Sequence, residues 1–305
     1  MSSPGPSNGF IAASRVLQWL RAYHGQAMPE AVDLDLVREM LPSTPYGQGV
    51  REIKPPMAAT WSGCEGALVR NPNDSAEWGI FYNPDARPER RRFTVAHELG
   101  HFVLHRDRQP SFNGDKASVH LGLGSSAVIE READDFASNL LMRGDLVHEL
   151  IASRRIDLHV LSEIARRFEV SFEALCIRFI KFTDQRAILV YWDNGFLKYE
   201  WRSKKAVRTR ARVRRVSDPA EPPPGTLAAD EGAAQEWDGV DLPASTWCAE
   251  EAPYMKLREF KHSYNAGNRV LTLLLLESAE PRPWDRSWQD EEAEDATDRL
   301  AAGSH

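Results

Sequence analysis

At 305 residues the chain is long enough for two domains and an ample buried core. Its formal net charge of −7 argues against nucleic-acid binding by bulk charge and leaves only a local basic patch for that role. It has no apolar run of the roughly 18 residues a membrane-spanning helix needs, and no signal-peptide shape at its N-terminus. Cys64, Cys176 and Cys248 are odd in number, far apart and in no CxxC pattern, so they read as reduced thiols of a cytoplasmic protein and not as metal ligands.

Residues 1–9 are rich in Ser, Pro and Gly and are expected to be disordered. Ala12 to His24 is an amphipathic helix with Val16, Leu17, Leu20 and Tyr23 on one side, and Asp33 to Leu41 is a second one. Both are expected to be scaffold. Trp61 to Asn83 reads as two strands around the turn Asn71-Pro72-Asn73-Asp74. Beside a catalytic metal, an exposed edge at Ile80, Tyr82 and Asn83 would take up substrate backbone by strand addition. Without that role the segment is an ordinary hairpin. The basic run Arg87 to Arg92 either steers an acidic substrate, caps the preceding loop, or is simply solvated.

Phe93 to His105 carries the chemistry. It reads as a buried helix bearing His97-Glu98-Leu99-Gly100-His101, an HExxH. Residues one turn apart share a helix face, so His97 and His101 can offer imidazole nitrogens to one ion. Glu98, next to that face, is placed as general base for a water on the same ion. His105 is eight residues from His97, about 12 Å along a helix, too far for all three histidines to share an ion. The HExxHxxGxxH variant also fails, because Leu104 and Asp107 stand where its Gly and third His would be. The third ligand must come from elsewhere. Residues 106–128 read as a long polar loop with Gly114, Gly122 and Gly124, able to cover a cleft.

Ile129 to Met142 is a second amphipathic helix with the apolar stripe Ala133, Phe136, Ala137, Leu140 and Leu141. Glu130 can supply the third ligand. Asp134, one turn on, can accept the other ring N–H of a ligand histidine. Glu132, about 200° around the helix from Glu130, reads as a solvated charge.

The pair HELGHFVLH and EREADDFASNLLM, with Arg91-Arg92-Phe93-Thr94 and Trp78 to Asn83 upstream, resembles the ImmA/IrrE family of zinc metallopeptidases over roughly residues 50–182. Arg143 stands where that family often has Pro. The resemblance implies a zincin-like fold and a regulatory protease. Its substrate would be a partner repressor of helix-turn-helix type, or an antitoxin, in a stress, DNA-damage or mobile-element response.

Farther on, Asp145 to Ser153 is a short helix. The segments 158–168 and 172–182 around Glu169-Val170-Ser171 look like a helix-turn-helix, with Ser171 as N-cap. The second of these helices is mostly apolar, which favours packing against the peptidase helices over DNA contact. Asp193-Asn194-Gly195 between apolar runs marks a hairpin, and Val270 to Leu276 a buried strand. Ser217 to Glu236, rich in Pro, Ala and acidic residues, reads as a mobile insertion. Arg202 to Arg215 holds eight basic residues in fourteen. As a strand, Arg208, Arg210, Arg212 and Arg214 would form one cationic face, either for a phosphate backbone or as a charge-protected edge. Residues 281–305 read as a disordered acidic tail.

The expected fold class is α+β: a zincin-like helical metallopeptidase domain with a small sheet and a helix-turn-helix-like segment over 10–183, then a smaller β-rich domain over 184–280. The latter would be a sensor or docking surface, open to nucleic acid or a small-molecule activator. The expected chemistry is zinc-dependent endoproteolysis without a membrane partner. His97, His101 and Glu130 would hold Zn2+, with Mn2+ as the alternative, and Glu98 would move the proton. Two other classes are a DNA-binding regulator with a structural metal and a partner-binding module with little turnover.

Overall fold

In a computed structural model of the chain, residues 8–60, 65–113, 125–152, 154–215, 217–264 and 267–279 are described. The acidic tail, residues 1–7, Trp61, Cys64 and the glycine-bearing stretch 114–124 lie outside them. Packing divides the chain after Arg143. Residues up to 143 with 167–171 form one compact unit, and residues 144–166 with 172 onward form the other. The composition of the sequence placed the change at 183/184 instead. No helix among the described residues is long and apolar enough to cross a membrane.

The first unit begins with α1 (Asn8–His24), which already includes two residues expected to be disordered. It buries Ala12, Ala13, Val16, Leu17 and Leu20. In α2 (Leu34–Met40) the Asp33 side chain accepts from the N–H groups of Asp35 and Leu36, two donors with no partner inside the helix. Five short strands follow: β1 (Glu52–Ile53), β2 (Met57–Ala58), β3 (Gly66–Arg70), β4 (Glu77–Tyr82) and, after the next helix, β5 (Ser111–Asn113). Their order is β1-β4-β3-β5, with β2 also on β4. The expected turn joins β3 to β4, where the Asn71 and Asp74 side chains accept from the backbone of Asn73 and Ala76.

β4 is not an edge. It pairs antiparallel with β3 and, on its other side, parallel with β1 and β2. The expected free rim at Ile80, Tyr82 and Asn83 is therefore corrected. Ile80 is fully buried, and Asn83 is held in a turn, its N–H on the Glu65 carbonyl and its side chain accepting from Asp85.

α3 (Pro88–His105) opens with Pro at its first position, where no N–H is needed. The basic run lies inside its first turns. Arg90 pairs with Glu65, Arg91 donates to the carbonyls of Ala86 and Pro84, and Arg92 donates to that of Val32. Three of the six residues of that run thus tie down neighbouring segments. The expected loop 106–128 is shorter than composition suggested, because β5 and the start of α4 (Ser125–Leu141) fall within it. Ala133, Phe136, Ala137, Leu140 and Leu141 of α4 are all buried, as their spacing predicts. α3 and α4 approach closely at Gly100: a Cβ there would lie 3.1 Å from the Cα and carbonyl oxygen of Ala133.

The second unit holds α5 (Gly144–Ala152), α6 (Leu158–Phe168, its last two residues grouped with the first unit) and α7 (Phe172–Phe182). Glu169 makes the turn between α6 and α7 at φ +55°. α7 buries Leu175, Cys176, Ile177, Phe179 and Ile180. It packs on α5 and on two strands of its own unit, β6 (Arg186–Asp193) and β7 (Phe196–Arg202). With β8 (Gln235–Pro243), β9 (Lys256–Tyr264) and β10 (Arg269–Leu276) these form an antiparallel sheet, β7-β6-β10-β9-β8. Asn194 and Gly195, at φ +51° and +82°, turn β6 into β7. The core contains Ile188, Val190, Trp192, Trp247 and Leu274. The stretch expected as a mobile insertion is docked: the Ala228 N–H donates to the buried Glu259 carboxylate, and Leu197 N–H to the Ala220 carbonyl.

Candidate metal centre

Two facing helices build the centre. α3 carries His97 and His101 one turn apart, and α4 carries Glu130 opposite them. His97 Nε2 is 3.0 Å from His101 Nε2 and 3.1 Å from Glu130 Oε2, and His101 Nε2 is 3.4 Å from Glu130 Oε1. One donor atom from each residue falls within 4.8 Å of the others. The other ring nitrogen of His97 lies 2.8 Å from Asp134 Oδ1, which can hold a proton on Nδ1 and points Nε2 at the cluster. The structure thus brings together His97, His101, Glu130 and Asp134, as the two helical patterns anticipated.

Exposure is uneven around the cluster. The His101 side chain is 1% exposed, while those of His97 and Glu130 are 14% and 17% exposed. One side is sealed and the other faces out. Burial opposes a proton on His97, but hydrogen bonds to Asp134 and Glu130 outweigh it and hold its pKa well above the usual value. Burial lowers His101 to about 4. Burial alone would raise Glu130, yet its bonds to His101 and His97 hold it well below the usual carboxylate range.

Glu98 is buried, 3% exposed, and its burial, reinforced by the nearby Glu130 charge, raises its pKa to about 8. The Leu68 N–H on β3 steadies the carboxylate, while Oε2 has no hydrogen-bond partner among the described residues. A glycine makes room for it: a Cβ on Gly66 would stand 2.2 Å from Thr94 Cγ2 and 3.0 Å from Glu98 Oε1. A buried oxygen without a partner is costly and marks a place where something else is meant to bind. Two imidazoles, one carboxylate and this spare oxygen suit a divalent cation such as zinc.

Sequence reasoning missed three neighbours. The Phe112 ring of β5 stacks on His101, 4.7 Å between centroids at 15°. His105 Nδ1 lies 3.1 Å from His101 Nδ1, and His105 Nε2 lies 3.0 Å from Glu132 Oε2. Glu132 is therefore not the expected solvated charge; it also accepts from Asn8 Nδ2 at 2.6 Å. The reason is that α4 is flanked by α1 as well as α3, so a side chain turned away from Glu130 still meets protein. The i, i+4 spacing of His101 and His105 was the signal available for this.

Arg208, Arg210, Arg212 and Arg214 lie in the second unit. No strand forms there; a short helix, α8 (Lys204–Arg208), gives way to irregular backbone with Arg210 at φ +59°. The alternation survives in another form, since all four arginines are exposed while Thr209, Ala211 and Val213 are buried. Arg212 lies 3.5 Å from Glu250.

The IrrE N-terminal-like domain of the Peptidase_M78 family matches residues 65–179, a span that contains every residue of the centre from Gly66 to Asp134. The chain is 36% identical over 92 residues to the radiation response metalloprotease IrrE of Deinococcus radiodurans, covering 30% of this chain and 27% of that protein. The corresponding protein of Deinococcus deserti matches at 36% over 92 residues, 30% of this chain and 32% of its own length. The matched stretch is thus about a third or less of each relative. A Mycobacterium tuberculosis transcriptional regulator shares the fold, with a TM-score of 0.50 at 14% identity over 88% of this chain and 75% of that one. The matched span takes in the HExxH helix, its facing carboxylate helix and the strand between them, so residues 65–179 form an IrrE N-terminal-like domain of the Peptidase_M78 family.

Proposed function

We propose that the protein is a zinc-dependent regulatory endopeptidase of the cytoplasm. His97, His101 and Glu130 would hold the cation, and Zn2+ is favoured over Mn2+ by two imidazoles and one carboxylate in a compact site. The observation that carries this reading is Glu98, a buried carboxylate with an unpartnered oxygen beside a three-residue ligand set. A structural zinc site is normally closed by a fourth protein ligand and has no use for such a group.

Bound there, a divalent cation supplies Lewis acidity toward a water and a scissile carbonyl. The rest of the chemistry falls to the chain. Glu98 accepts the water's proton on its free oxygen and returns it to the departing amine. Asp134 holds His97 in the tautomer that points Nε2 inward. Ser111–Asn113 pairs with one strand only among the described residues, and its outer rim replaces β4 as the place for substrate backbone.

The substrate class proposed is a helix-turn-helix repressor or antitoxin acting in a stress, DNA-damage or mobile-element response. The second unit would gate cleavage or dock the partner. The test is Glu98→Gln with a small repressor encoded beside the gene as substrate. Zinc content and fold are expected to persist while cleavage falls by about 10²–10⁴-fold. Undiminished cleavage overturns the mechanism.

One observation favours a second reading, contact with a polyanion through the exposed arginines at 208–214. Removing three of those charges would then flatten the salt dependence of DNA binding. The recognition-helix form of that reading is disfavoured, since α7 spends its apolar side chains on its own core.

A further inference from the structure

The two histidine ligands are oriented by different devices, and one of them uses residues with no part in the reading so far. His97 donates its Nδ1–H directly to Asp134. His101 has no carboxylate at its Nδ1; it has His105, at 3.1 Å. Resting on the proposed metal site, we propose that His105 and Glu132 are positioning residues that lock His101 into the Nδ1-protonated tautomer and aim its Nε2 at the cation.

The proton positions follow from the donor inventory. His101 Nε2 faces His97 Nε2 and Glu130 Oε1, so as a ligand it carries no proton. A neutral imidazole has one N–H, which must then sit on Nδ1. The only described nitrogen that meets it is His105 Nδ1, which accepts and is therefore bare. The single proton of His105 is left on Nε2, 3.0 Å from Glu132 Oε2, a carboxylate that can only accept. Glu132 Oε1 is steadied from the other side by Asn8 Nδ2 at 2.6 Å. Each donor has one acceptor, and reversing either histidine would set two donors or two bare nitrogens against each other.

Burial gives this order its force. The residues His101 and His105 are each 1% exposed, so water cannot substitute for a lost partner. Phe112, stacked on His101, covers one face of its ring. The relay thus does for the buried ligand what Asp134 does for the more open one. Partners of this kind commonly contribute about 10–100-fold in metal affinity.

The test is Zn2+ affinity, measured by competition with a chromophoric chelator. His105→Phe keeps a ring in the same space but removes the acceptor, and Glu132→Leu removes the far end. Each is expected to weaken zinc by about 10–100-fold, with helical content by circular dichroism unchanged. Glu132→Gln keeps an acceptor oxygen for His105 and is expected to stay much closer to the wild type, a rescue that simple packing does not predict. Nitrogen-15 NMR of the zinc-loaded wild type should show His101 protonated on Nδ1 and coordinated through Nε2. Wild-type affinity in both His105→Phe and Glu132→Leu, or coordination through His101 Nδ1, overturns the relay while leaving the metal site standing. Should His105→Phe fail to fold, Glu132→Leu decides alone. A wild type that takes up no zinc removes the proposed function together with the relay.

Discussion

Each unit of the molecule buries charge, and the two do it differently. In the second unit Glu259 is fully buried, but its carboxylate accepts from Trp247 Nε1 at 3.1 Å and from the Ala228 N–H at 2.8 Å. Beside it Lys261 Nζ donates to the Asp230 carbonyl at 2.6 Å. In the first unit His97, His101 and Glu130 turn potential ligand atoms toward one another, and Glu98 Oε2 has no partner among the described residues. Desolvation raises the pKa of Glu259 and of Glu98 alike. What separates them is completion. A buried charge whose hydrogen bonds are filled by protein ties the fold together, and one left open toward its neighbours awaits a ligand.

That contrast can be broken by substitution. The largest effect is expected from Glu98→Gln, which should remove about 10²–10⁴-fold of cleavage without loss of stability; a large drop in melting temperature would place Glu98 with Glu259 as a structural group. Glu259→Ala should do the reverse. It strands the Trp247 and Ala228 donors at about 1–3 kcal/mol each, so denaturant unfolding should show a marked loss while zinc affinity stays unchanged. Gly100→Ala forces a methyl against the Ala133 backbone and should cost about 1–3 kcal/mol of stability with weaker metal binding, because α3 and α4 set the ligand spacing. Unaltered affinity there would mean that the spacing does not depend on this contact.

The smallest expected effect sharpens the comparison from outside it. Glu30 pairs with Arg167, whose Nε lies 2.6 Å from it, and these hydrogen bonds hold Glu30 below its ordinary pKa of 4.5. A depressed carboxylate contributes stability above its unfolded pKa and loses it as pH falls through the folded value. Glu30→Gln should therefore cost at most about 0.5 kcal/mol at neutral pH for a half-exposed pair, and the difference should shrink as pH falls below 4.5 and vanish below the depressed folded value. A gap that persists in acid would show that packing, not charge, is involved.

Much of the centre could be read before any coordinates. The i, i+4 spacing of His97 and His101 and the apolar stripe of α4 put the three candidate ligands on facing surfaces, because helical periodicity is local. What stayed hidden depends on neighbours. The two-residue strands β1 and β2 have no period to detect, yet they turn β4 from an edge into an interior strand. A helical wheel gives the direction of Glu132 relative to Glu130 but says nothing of α1 on that side. β9 went unseen because the charged side chains of Glu259 and Lys261 point into their own unit, which breaks the usual alternation, and β8 because none of its residues is buried. The arginines at 208–214 alternate as foreseen, though Arg210 at φ +59° rules out a continuous strand.

The most direct test of the central claim is the zinc content of the purified full chain, wild type against Glu130→Ala, with affinity measured by chelator competition. The structure predicts one zinc per wild-type chain and a loss of tight binding when the Glu130 carboxylate is gone. A wild type without zinc, or a Glu130→Ala variant that binds it as tightly as before, would contradict the account.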